Sequence, residues 1–300
     1  MSERPTVRPV TLARLVELTN ACGDRSRPTK ELESDLNVTH RRARETILEA
    51  VRMGLLSATE TTEGEEPRYS TTQIGIQFLN AVRDEDWSQV SVLLQNSSPH
   101  YEAFLDVVDG LQPTDTDRLL ERLENDHVDT PYDFNQTSID VLGDWGERLG
   151  TIQRNAFTGS YYRPKDDCVD EEFPAVLISV FRDHEETTGI DLRQRYLSIP
   201  ELREYTCERL RCTRTDFDNA LLSLAGQNVG KLELSGAPVD TGAKEAQLGI
   251  KQISRDDAGG LVSTDQSTDR IMSGVEQYGK QYYYLAIHEP DLTFTQESNQ

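Results

Sequence analysis

Six basic side chains crowd one short stretch of an otherwise strongly acidic chain. Arg25, Arg27, Lys30, Arg41, Arg42 and Arg44 lie there against three acids, Glu31, Glu33 and Asp35. The whole chain of 300 residues carries a formal net charge of −22. A guanidinium presents a rigid fork of donors that matches the paired acceptors of a guanine edge or the oxygens of a phosphate. The chemistry on offer is therefore recognition of a polyanion, and a locally basic patch is its electrostatic footprint.

Residues that make and break bonds show no comparable pattern. Cys22, Cys168, Cys207 and Cys212 form no CxxC pair, and no His stands at ligand spacing from them, so we expect no metal site. Cys207 and Cys212 read as small buried side chains, and the cysteine usage fits a reducing compartment. His40, His100, His127, His184 and His288 are scattered, and Asp183-His184-Glu185-Glu186 has the wrong order for a zincin helix. There is no GxxxxGK[ST] loop, HExxH or GxSxG. The acids Asp166, Asp167, Asp170, Glu171 and Glu172 alternate direction and read as a solvated linker. We expect no enzymatic activity, catalytic residue or cofactor.

The basic stretch needs elements to hold it out. Thr39 can cap a helix on which Ala43, Ile47, Ala50 and Val51 recur at helical spacing, flanked by Leu48 and Met53. Arg41, Arg42, Glu45, Glu49 and Arg52 then point away from that stripe, with His40 and Arg44 between the faces. Gly54 ends the helix. Leu55 and Leu56 open a strand, Thr61–Pro67 turns it, and Arg68–Ser70 returns. Upstream, Leu12, Leu15, Val16 and Leu18 fit a first helix. Thr29 caps a short second one with Leu32 and Leu36 inward, and Asn37-Val38 turns into Thr39.

Helix, helix, turn, helix and hairpin over residues 8–83 resembles the winged helix-turn-helix family. The resemblance implies that the helix from Thr39 to Met53 reads bases and that the hairpin tip touches backbone. The tip departs from the family pattern, carrying Glu63, Glu65 and Glu66 where Arg or Lys would serve. The abundance of Asp and Glu and the scarcity of Lys beside Arg resemble proteins of salt-in halophiles such as halophilic archaea, in which global charge says little about partners.

The unit recurs along the chain. A helix runs through glycine into a strand at Met53-Gly54-Leu55-Leu56, Leu149-Gly150-Thr151-Ile152 and Val229-Gly230-Lys231-Leu232, and repetition of a supersecondary unit is a strong organising signal. The second stripe is Ile139, Leu142, Trp145 and Leu149. In the third unit, Phe173–Phe181 and Ile199–Leu210 are helices, and Thr213 or Thr215 caps another with Phe217, Leu221, Leu222 and Leu224 inward. Between the first two units, Thr71–Val82 is read as a helix with Ile74, Phe78, Leu79 and Val82 inward. Asp84 caps the next helix, and another begins near Pro99.

The expected fold is mainly α with small β-hairpins (α+β), as tandem winged-helix domains joined by a helical connector. The divisions are 1–83, a connector at 84–112, a second domain at 113–163, and a third at 164–290 with a long wing insertion. A disordered tail follows at 291–300. The N-terminus lacks the apolar segment of a signal peptide and no apolar run approaches the ~20 residues that span a bilayer, so we expect a cytoplasmic protein with no membrane partner.

The expected partner is double-stranded DNA, bound through Thr39, His40, Arg41, Arg42, Arg44, Arg27 and Lys30. In the third unit, Arg211 and Arg214 would grip phosphates. A transcriptional regulator is the plainest function. The alternative is a non-enzymatic adaptor in a replication, repair or antiviral-defence complex, making protein contacts through the acidic second domain (Asp140, Asp144, Glu147) and the connector. Oligomeric state and effector stay open.

Overall fold

Small polar side chains set where most helices begin. In the computed structural model, which describes residues 6–23, 25–59, 66–126, 133–166, 168–188, 196–236 and 268–295, Thr11 accepts from the Arg14 N–H at the start of α1 (Leu12–Cys22). Thr39 accepts from the Arg42 N–H before α3 (His40–Arg52), and Thr72 from the Gly75 N–H before α4 (Gln73–Arg83). Each satisfies one orphan donor of a first turn. The helix between them, α2 (Thr29–Leu36), has no such cap. Pro28 occupies the cap position, and Thr29 is a buried first-turn residue. The reason is that Arg27–Pro28 is itself a short strand, β1, so the chain passes straight from sheet to helix.

That strand completes a sheet the sequence shows only in part. β2 (Leu56–Ala58) and β3 (Arg68–Thr71) pair antiparallel, and β1 adds to the other edge of β3, giving the order β1-β3-β2. Beneath it lies a core that includes Leu15, Leu18, Leu32, Ile47, Leu55 and Phe78, each at most 1% exposed. Ile74, expected inward, is 40% exposed.

Glu49, expected on the outer face of α3, is completely buried. It accepts from the Arg8 N–H at 3.4 Å and Arg8 Nη1 at 3.3 Å, and is paired with Arg52. Arg52 in turn reaches His100 Nδ1 at 3.4 Å. A carboxylate enters an apolar interior only with such partners.

Four more helices belong with this first compact unit: α5 (Trp87–Ser97), α6 (Pro99–Leu111), α7 (Thr116–Asp126) and α8 (Gln136–Arg148). Asp86, not Asp84, caps α5 at 2.9 Å from the Gln89 N–H, after the chain turns through Glu85 at φ 56°. The α8 stripe is buried as expected. Trp145 is fully enclosed, donates its indole N–H to the Val10 carbonyl at 3.0 Å and meets Tyr101 edge to face.

The second unit holds the described residues of 112–115, 153–236 and 268–295. Its elements are β4 (Gln153–Arg154), β5 (Tyr161–Tyr162), α9 (Phe173–Thr188), β6 (Leu197–Ser198), α10 (Ile199–Leu210), α11 (Arg214–Gln227), β7 (Leu232–Gly236), α12 (Thr268–Met272), β8 (Val275–Gln277) and β9 (Lys280–Ile287). β6 and β7 both pair antiparallel with β9, and β8 adds to β9 as well.

The order helix, strand, helix, helix, strand, strand is therefore the same in α1–β3 and in α9–β9 once α12 and β8, which intervene between β7 and β9, are set aside. In the first the last strand, β3, lies between β1 and β2, and in the second the last strand, β9, lies between β6 and β7. α6, a bridge from Thr114 to Tyr161, α7, α8, β4 and β5 follow that order too. Its helices count with the first unit and its strands with the second. Gly54, Gly150 and Gly230 have φ of 68°, 68° and 88°, the left-handed conformation a helix stop requires. Val229, the apolar residue before the third glycine, is 86% exposed.

Two expectations fall partly or wholly outside the described residues, the wing tip and the insertion in the third unit. A third needs correction. Residues 291–295 of the expected tail are held, the rest lying outside the described residues: Thr293 bonds Asn228, Thr295 bonds Gln227, and Leu292 and Phe294 pack against the second unit's core.

Candidate nucleic-acid interface

The start of α3 presents its cations outward. Asn37 adopts the left-handed conformation at φ 49°, Val38 follows, and Thr39 resumes extended backbone as the cap. Ala43, Ile47 and Ala50 anchor one face in the core, which leaves Arg41 opposite it and Arg42 and Arg44 on either flank. Arg41, Arg42 and Arg44 are all exposed. Arg41 is 87% exposed along its side chain while its Nε contacts Glu45 at 3.1 Å. A pair so exposed is worth little and can open. Arg42 and Arg44 make no ion pair among the described residues. Arg44 lies near enough to Tyr69 to oppose, in part, the upward push of burial on that phenol. His40 Nδ1 is 3.0 Å from Glu33 Oε2 and its ring is largely exposed.

The remaining basic residues of this stretch divide. Lys30 is exposed. Arg27 is engaged within the unit: its guanidinium donates to the Ala21 carbonyl at 2.8 Å, Asp35 at 2.5 Å and Glu31 at 3.3 Å. The hydrogen bond to Asp35 is the main cause that strengthens its charged form. Arg27, a member of the expected DNA set, thus ties the α1–β1 junction to α2. Arg68, in the sequence no more than the start of a returning strand, joins that set from outside. It is exposed on β3 and donates to the Ser26 carbonyl at 2.7 and 3.2 Å. Its cross-strand position opposite Pro28 places a further cation beside β1. Only the β1–β3 pairing could reveal that, and two residues of strand leave no periodic trace.

The corresponding helix of the second unit differs in kind. Arg211 holds the left-handed position before α11 at φ 57°, as Asn37 does before α3, and is half-buried. Thr213 and Asp216 form a reciprocal capping box. Arg214, expected to grip phosphate, is completely enclosed. It is held by Glu204 through two bonds of 2.5 and 2.7 Å and donates to the Arg154 carbonyl at 2.8 Å. Burial alone would weaken its charged form, but Glu204 outweighs that and the net shift is upward. Asp218 is equally committed, bonding Arg203 at 2.7 Å and Arg270 at 2.6 Å. The start of α11 therefore has its arginine internal and its carboxylates engaged, where α3 has its guanidiniums exposed.

Among the described residues, no group of three or more His, Cys, Asp or Glu is placed to hold a metal ion, and no helix is long and apolar enough to cross a membrane. No family model matches the chain, and no curated protein resembles it in sequence.

Proposed function

We propose that the chain is a non-enzymatic DNA-binding protein of tandem winged helix-turn-helix type. α1–α3 and β1–β3 form the reading unit, and α3 enters the major groove. One observation carries this: Arg41, Arg42 and Arg44 are all exposed in the first half of a capped helix, the part of such a helix that meets base edges. Arg42 and Arg44 are uncommitted to any described carboxylate. Lys30 and Arg68 add positive charge outside α3. A transcriptional regulator is the simplest protein that uses one such unit.

A second reading rests on α11. The unit that holds it repeats the element order of the first, while the arginine of its first turn is internal and Asp218 is buried against Arg203 and Arg270. A copy of this kind suits protein contact, as in an adaptor of a larger DNA-handling complex.

Selection of genomic fragments by the full chain, at high salt, separates the two. A regulator enriches a few sites; an adaptor enriches none. Replacing Arg42 and Arg44 with Ala costs about 1–3 kcal/mol for each base that an arginine no longer bonds. Parent and double variant binding the selected fragment equally would end the assignment of α3 as reader.

A further inference from the structure

The outermost ridge of α3 carries one available polar pair. Arg41 stands opposite the face anchored by Ala43, Ile47 and Ala50, and Glu45 follows it one turn on. Farther along the same ridge Leu48 is half-buried, and Arg52 is engaged by Glu49 and His100. Arg41 Nε donates to Glu45 Oε1 at 3.1 Å. Among the described residues the two terminal nitrogens of Arg41 bond nothing, and the Glu45 carboxylate has no other partner. A carboxylate on the ridge that would meet a polyanion weakens general attraction to it, so its place there calls for a specific use.

We infer that Glu45 is a positioning residue for base reading: it holds Arg41 by Nε, leaves the terminal nitrogens as the reading edge, and so selects a guanine facing Arg41. This rests on the reading of α3 as the DNA-contacting helix. A guanine edge offers two acceptors, N7 and O6, and a planar guanidinium meets both at once only when its plane and rotation are right. With Nε occupied, one donor edge remains, the pair of terminal nitrogens. Fixing that edge beforehand spares part of the ordering cost of a long side chain. In water so exposed an ion pair is weak; at a groove wall, with water displaced, the same pair strengthens. Arg42 and Arg44 have no carboxylate partner among the described residues, so neither has its fork fixed in this way.

A carboxylate at this place has a rival use, which is to read a base itself by accepting from the amino group of cytosine. The bond to Arg41 favours positioning. The two uses differ in whether the effect of Glu45 passes through Arg41, and a double-mutant cycle reads that difference.

The test selects duplexes from a randomised library with the full chain at high salt, then measures affinity for the selected site and for each single base-pair replacement. In the parent one G·C pair is preferred over A·T by about 10- to 100-fold, and Arg41→Ala abolishes that preference. Glu45→Ala lowers it by about 3- to 10-fold, while affinity for duplexes lacking the site rises. Glu45→Gln, which keeps the length and an acceptor oxygen, lowers it less. In the Arg41→Ala background, Glu45→Ala changes no base preference. Alanine is the best helix former, and circular dichroism checks that the variants fold; Glu45→Gln decides if Glu45→Ala does not. An unchanged preference in the Glu45 variants, an effect that persists without Arg41, or an equal loss for selected and unrelated duplexes overturns this inference and leaves α3 as reader. No site selected by the parent overturns the reading of α3 and this inference with it.

Discussion

A guanidinium's role depends on whether a carboxylate of the same fold has already claimed it. Arg214 and Glu204 are both fully enclosed and bonded through two contacts, so neither charge survives without the other. Glu204→Ala leaves a buried cation, and we expect a loss of about 3–5 kcal/mol in denaturant unfolding. A loss below about 1 kcal/mol would mean that water reaches the pair. Glu208 behaves oppositely. Burial pushes its carboxyl up, against hydrogen bonds from Thr158 and Asn155. Between the ordinary value and the raised one, the folded chain holds a proton that the unfolded chain releases. Stability therefore falls as pH rises through that window. Glu208→Gln removes the titration, so it should melt above the parent at neutral pH and flatten the acid side of the profile. A lower melting point at every pH would show that the charged form is stabilised after all.

Helices are legible in this sequence where an apolar stripe and a cap agree, and strands are not where they are short. α10 runs over Ile199–Leu210 as its pattern indicates, and Thr39 and Thr213 cap where expected. β1, β6 and β8 escape a reading of the sequence because two or three residues cannot display alternation. The outward face of α3 is legible except at Glu49 and its partner Arg52, and α11 departs from expectation at Arg214. Residue type argues for exposure at these positions, and only the tertiary partners Arg8, Arg52 and Glu204 reverse it. The tail differs from expectation for a similar reason, because its anchors at Gln227 and Asn228 are distant in sequence. The helix-to-strand junction offers a test of packing. A Cβ on Gly75 would lie 2.3 Å from the Leu55 carbonyl oxygen, which is backbone and cannot rotate aside. Gly75→Ala should thus destabilise the first unit by about 1–3 kcal/mol, although alanine is the better helix former. A variant melting with the parent would mean that α4 shifts away without cost.

A net charge of −22 opposes both the compact state and the approach of DNA, and salt acts on the two differently. The Debye length falls from about 10 Å at 0.1 M to about 3 Å at 1 M, so self-repulsion is screened and the melting temperature should rise across that range. Binding responds to two effects of opposite sign. Each phosphate neutralised by an arginine lowers the slope of log K against log salt by about 0.9. Screening of the repulsion between an acidic chain and DNA raises it. The parent's slope should consequently be shallower than its phosphate-bound cations alone dictate. Replacing Arg42 and Arg44 with Ala should lower affinity at every salt concentration. The slope should become less negative by about 0.9 for each of the two that neutralises a phosphate, and stay unchanged for one that bonds only a base. Affinity and slope both unchanged would mean that α3 meets no DNA, leaving the protein-contact reading in its place.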